Sequence, residues 1–82
     1  MSGEEEILPK MSEDCAQVLE SVISALKNPL PYNQSKARLF LDVLYQKKCK
    51  EALAWIHEKY VTHPAILVQK IAKRALELHN RL

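Results

Sequence analysis

Cys49 stands inside the run Lys47-Lys48-Cys49-Lys50, the one place in this 82-residue sequence where neighbouring side chains invite covalent chemistry. Adjacent cations favour the thiolate, the nucleophilic form of cysteine. Catalysis would also need a positioned base and donors for an oxyanion, and no such arrangement is legible around Cys49. Cys15 is the only other cysteine, and neither lies in a CxxC or a Cys/His pair. The expectation is therefore two free, partly buried thiols. His57, His63 and His79 are too scattered to supply the four tetrahedral N or S ligands of a structural zinc site. A single glycine leaves no phosphate-cradling loop. No enzyme activity, cofactor, metal or small-molecule substrate is expected.

Charge offers more. Twelve basic and ten acidic residues give a net charge of +2, too balanced to imply a nucleic acid or membrane partner by itself. The distribution is uneven. Acidic residues gather early, at Glu4 to Glu6, Glu13, Asp14 and Glu20. Basic residues form one corner, Lys47, Lys48 and Lys50, and one stripe at i, i+3, i+4 and i+11, Lys70, Lys73, Arg74 and Arg81. A molecule with acidic and basic ends is able to associate head to tail. Asp42 and Arg38 are spaced for an i,i+4 ion pair, or for the charged part of an interface. Trp55, Tyr45 and Tyr60 are read as core and rim packing, and as interface anchors where they stay exposed.

The elements that position these residues follow from hydrophobic spacing. Residues 1–11 form an acidic lead-in, expected to be partly flexible, and 12–82 form a single helical domain. No apolar run near the start suggests a secretory leader, and no stretch approaches the roughly 20 apolar residues of a membrane span. The expected location is the cytosol, with the nucleus as an extension. Ser12 suits an N-cap with Glu13 and Asp14 behind it, and Cys15, Val18, Leu19, Val22, Ile23 and Leu26 repeat on one face of a helix over about 13–27. Asn28-Pro29 ends it and Pro31 prolongs the break. A second helix is expected from Gln34 or Ser35 to the lysine corner. Ala37, Phe40, Leu41, Leu44 and Tyr45 form its stripe, Leu39 and Val43 a second side, which is the signature of a central helix. A third covers about 50–60 with Leu53, Ile56 and Tyr60 inward. Pro64 suits the first position of a fourth, up to about 19 residues or 28 Å long. Its inner side is expected to hold Leu67, Val68, Ile71, Ala72, Ala75, Leu76, His79 and Leu82. No strand pattern occurs. The fold expected is all-α, a compact antiparallel bundle of four to six helices.

The stretch SKARLFLDVLYQKKCKEALAWI, through Lys36, Arg38, Phe40, Leu41, Asp42, Leu44, Lys47, Ala52, Trp55 and Ile56, resembles the middle of caspase-recruitment domains of the death-fold superfamily. HPAILVQKI then looks like their short sixth helix, SEDCAQVLESV like the third and EEEILPKM like the second. The resemblance implies a six-helix Greek key and homotypic assembly in signalling. VQKIAKRALELHNRL is more faintly similar to the helical N-terminal domains of transcription elongation factors.

The function expected is a non-enzymatic adaptor or scaffold that binds a protein partner, a second copy included, through Arg38, Lys47, Lys48, Lys50, Glu13, Asp14 and Asp42. The alternative is a nucleic-acid-associated domain using Lys70, Lys73, Arg74 and Arg81.

Overall fold

A computed structural model describes residues 10–28 and 30–82. They fold as a four-helix bundle, α1 Glu13–Leu26, α2 Pro31–Gln46, α3 Lys50–Tyr60 and α4 Ile66–Asn80, with no strand among them. The acidic lead-in lies outside the described residues except for Lys10 and Met11, which are not helical.

Each helix forms for a local reason. At α1 the Cys15 backbone N–H donates to Ser12 Oγ at 3.2 Å, and Glu13 and Asp14 occupy the first turn, where carboxylates complement the helix dipole. The second helix starts earlier than the spacing of apolar residues predicts. Pro31 is its first residue and does not extend the break. Proline needs no hydrogen-bond acceptor at that position and its φ is already helical. The Asn33 side-chain amide donates to Asn28 O at 2.6 Å, holding the corner between α1 and α2.

The fourth helix is shorter than expected and Pro64 precedes it. His63 supplies the start instead. Its Nδ1 accepts the Ala65 N–H at 3.0 Å, and the Gln69 side-chain amide returns a hydrogen bond to His63 O at 2.6 Å. An imidazole that accepts at Nδ1 carries its proton on Nε2. The histidine is thus a capping group, half-buried with its ring 6.2 Å from that of Tyr60. The segment 66–71 is the opening of one continuous helix running to Asn80, and not a short helix of its own.

The core is made of aliphatic side chains from all four helices. Leu19 and Val22, Leu41 and Leu44, Leu53 and Ile56, and Val68 and Ile71 are fully buried together. Among the described residues no polar or charged side chain is buried. As its apolar breadth suggested, α2 is central: it packs on α1, α3 and α4, while α3 and α4 form the other extensive contact. Two inner faces sit differently from expectation. Leu39, assigned to a second buried side, is exposed. In α4 the buried line is Val68, Ile71, Ala72, Ala75 and Leu78, so Leu78 replaces Leu76, which is exposed.

The corner between α2 and α3 carries the main correction. Cys15 and Cys49 are not free thiols. They form a disulfide with Cα atoms 5.8 Å apart, so Cys49 offers no thiolate. Lys48 takes a left-handed conformation, φ 58°. Its N–H donates to Tyr45 O at 3.0 Å, and the Cys49 N–H donates to Leu44 O at 2.8 Å. This pair of bonds is a Schellman closure, satisfying two of the carbonyls a helix end leaves open. It turns Cys49 inward against Leu44 and the core.

Glycine is the residue such a position favours, and a lysine there bears the steric cost of its Cβ. Lys48→Gly is therefore expected to stabilise the fold by about 0.5–1 kcal/mol, read as a rise in thermal midpoint of roughly 4–8 °C per kcal/mol. The disulfide closes a loop between residues 34 apart. In the chain-entropy picture that is worth about 3–4 kcal/mol, so a Cys15→Ser/Cys49→Ser variant should lose about that much in a urea titration. A loss below about 1 kcal/mol would show that the crosslink contributes little to stability, and titration of free thiols in the unfolded parent checks that the bond is closed.

Candidate interaction surface

Helical register decides which charged residues meet. On α2, Gln34, Arg38, Leu41 and Tyr45 follow at i, i+4, i+7 and i+11; on α4 and its C-cap, Lys70, Arg74, Glu77 and Arg81 do the same. Residues at this spacing share one side of a helix. The two lines face each other where α2 packs beside α4, and open depressions run along that junction.

The first depression, about 280 Å³, is lined by Gln34, Arg38, Lys70, Ile71, Lys73, Arg74 and Glu77. Its buried apolar element is Ile71, and Arg74 Nη1 meets Glu77 Oε1 at 3.3 Å. The second, about 550 Å³, is lined by Tyr45, Gln46, Lys48, Lys50, Arg81 and Leu82. Early α2 residues meet early α4 residues, and late meet late, so these two helices run parallel, as alternate members of an up-and-down bundle do. Four cations line the first depression and three the second, with a single carboxylate side chain, Glu77, which is already paired.

This arrangement regroups the residues singled out in the sequence. Arg38 leaves the lysine corner and joins Lys70, Lys73 and Arg74. Arg81 leaves that stripe and joins Lys48 and Lys50. Lys47 faces away: its Nζ lies 3.9 Å from Asp14 Oδ2, a solvent-exposed pair of little energetic weight. Glu13 is exposed at the start of α1, apart from the groove lining. Asp42 and Arg38 are both exposed and form no ion pair with each other. Tyr45, Trp55 and Tyr60 are half-buried, Trp55 meeting Tyr60 edge-on at 6.1 Å and carrying Lys59 Nζ 5.9 Å above its ring.

Sequence reasoning missed Gln34 as a groove residue, although its i−4 spacing from Arg38 signalled it. It also missed the outer side of α2, where Tyr32 and Leu39 are 71% and 65% exposed. Among the described residues no group of three His, Cys, Asp or Glu side chains converges as a metal site, and no helix is long and apolar enough to cross a membrane.

In comparisons with known proteins, no family model, curated protein or solved structure matches the chain.

Like charges gathered along one groove repel, and salt screens the repulsion. Lys73→Gln is expected to raise the thermal midpoint slightly at low ionic strength. The difference from the parent should fade at about 1 M salt, where the Debye length is near 3 Å. An equal gain at both salt concentrations would mean that the cations of the groove do not interact.

Proposed function

We propose that this chain is a non-enzymatic interaction module, an adaptor or scaffold domain, that receives an acidic segment of a protein partner in the groove between α2 and α4. The observation that carries the reading is the convergence of Arg38 with Lys70, Lys73 and Arg74 above Ile71, extended by Lys48, Lys50 and Arg81 beside Leu82. Cationic walls, with the exposed Leu82 and the half-buried Tyr45 at the far end, suit an amphipathic acidic helix or strand. Apolar contact supplies affinity there, and the charges supply orientation and association rate.

Nucleic acid is the second reading, favoured by the same cations, since phosphates would meet seven of them. Single-strand binders add aromatic platforms on which bases stack, and Tyr45 is the one aromatic residue in the lining. That balance favours the acidic polypeptide. Cytosolic or nuclear placement belongs to the proposal as well. The disulfide weighs against it, because such bonds persist in oxidising compartments and are rare in the cytosol.

The test is fluorescence anisotropy with a labelled Glu/Leu amphipathic peptide and with a labelled single-stranded oligonucleotide, each titrated at several salt concentrations. The peptide should bind, and a Lys70→Glu/Lys73→Glu variant should weaken it by about tenfold or more while its helical circular dichroism stays that of the parent. Oligonucleotide binding with a steep negative log–log salt slope, and none of the peptide, would transfer the groove to the nucleic-acid reading. Binding of neither would remove the groove as a polyanion site.

A further inference from the structure

The crosslink sits beside Lys48, the left-handed residue that closes α2. Cys15 belongs to the first turn of α1 and Cys49 is the N-cap of α3, so the bond ties the start of one helix to the corner that ends α2 and opens α3. Helix α1 otherwise packs on α2 and barely touches α3. Asp14 and Lys47 meet across the same junction at 3.9 Å, an exposed ion pair of little weight. Lys48 is held at φ 58°, a conformation whose steric cost a lysine bears and a glycine does not. Drawing Cys49 inward to meet Cys15 fixes the turn before it, so the bond opposes relaxation of Lys48. Lys48 and Lys50, on either side of Cys49, are two of the three cations of the second depression, and Arg81 is the third. The charge of that depression is thus placed by a strained turn and by a bond that thiols are able to open.

We infer that the Cys15–Cys49 bond is a redox switch for the α2–α3 corner, opened by a dithiol reductant. One thiolate of the reductant attacks Cys15 Sγ, since Cys15 is 9% exposed and Cys49 only 2%. A mixed disulfide forms, and the electron pair of the broken S–S bond leaves with Cys49 as its thiolate. The place of Cys49 at the start of α3, with a lysine on each side, favours that leaving group. The second thiol of the reductant then displaces Cys15. The reductant ends as a disulfide, the chain ends as two thiols, and the two protons of the dithiol pass to the two cysteines. Lys48 is then free to leave the left-handed region and Lys50 turns with it, while the four helices stay folded on their aliphatic core. The oxidised corner presents both lysines to the second depression; the reduced corner does not. Disulfides persist in oxidising compartments and are kept reduced in the cytosol, so the two states answer to the redox condition around the protein. The consequence for binding rests on the acidic-segment reading of the groove; the local opening of the corner does not.

The measurement is the amide NMR spectrum of the full chain, oxidised and in dithiothreitol, with alkylation and mass spectrometry counting free thiols. Reduction should proceed without denaturant. It should move the resonances of Lys47 to Glu51 and of Glu13 to Ala16, and leave those of α4 near their oxidised positions. In Lys48→Gly the left-handed turn carries no strain, so on reduction Lys50 and Glu51 should shift by roughly half as much as in the parent, or less. Fluorescence anisotropy with the labelled Glu/Leu peptide should read an affinity about threefold or more weaker for the reduced parent than for the oxidised one, because two cations leave the depression. A bond that dithiothreitol opens only after denaturation overturns the inference. So does global unfolding on reduction, which would make the bond a staple, and so does a Lys48→Gly chain that responds like the parent. Peptide bound equally by the two redox forms overturns it as well. Peptide bound by neither form removes the acidic-segment reading instead, and the spectra alone then decide for or against the switch.

Discussion

The bundle depends on how α2 ends. A helix leaves its last carbonyls open, and here the Cys49 N–H closes back on Leu44 O while Lys48 adopts the left-handed turn that permits it. That closure fixes three things together. It stops α2, it starts α3 at Lys50, and it points the Cys49 side chain into the core, where Cys15 of α1 lies within bonding reach. Had the chain continued helically through Lys48 and Cys49, the direction of α3 and the crosslink between α1 and the corner would both be lost. Lys48 and Lys50 also owe their place at the end of the groove to this turn, so the joint that organises the core organises the surface too.

The core itself is conventional in its physics. Aliphatic side chains from four helices interlock without a buried polar group among the described residues, so no internal network specifies the fold. Specificity comes from the helix ends. Ser12 caps α1, Pro31 begins α2, the left-handed lysine closes it, and His63 with Gln69 begins α4. In a chain this small, where the buried fraction is modest, these local devices and one disulfide carry a large share of the margin that separates folded from unfolded.

The consequence for function is a division of labour around α2. One side, Ala37, Leu41 and Leu44, is spent on the core. The side towards α4 collects cations from α2, α4 and the α2–α3 corner around two depressions. The outward side keeps Tyr32 and Leu39 in solvent between a lysine and an aspartate. A central helix in a bundle of this size touches every neighbour and still has a face left over.

The sequence by itself determined the helices and most of the core. Hydrophobic spacing is a local property, and it placed Cys15, Leu19, Val22, Ile23 and Leu26 on one side of α1, and Leu53 and Ile56 on one side of α3, where the structure has them. It was also enough to mark α2 as the central element. It failed where a residue's role is set across the bundle. Leu39 is as apolar as Leu41, and only the positions of α1, α3 and α4 around α2 left one in water and the other in the core. Leu76 and Leu78 exchanged roles on α4 for the same reason. Cys15 and Cys49 carry no short motif that announces a bond between them; their meeting depends on a backbone turn at a lysine where no glycine marks it. The groove is likewise a tertiary object. Arg38 and Lys70 are far apart along the chain, and parallel packing of α2 and α4 alone made them neighbours, because periodicity fixes the face of each helix while the docking of helices fixes which faces meet.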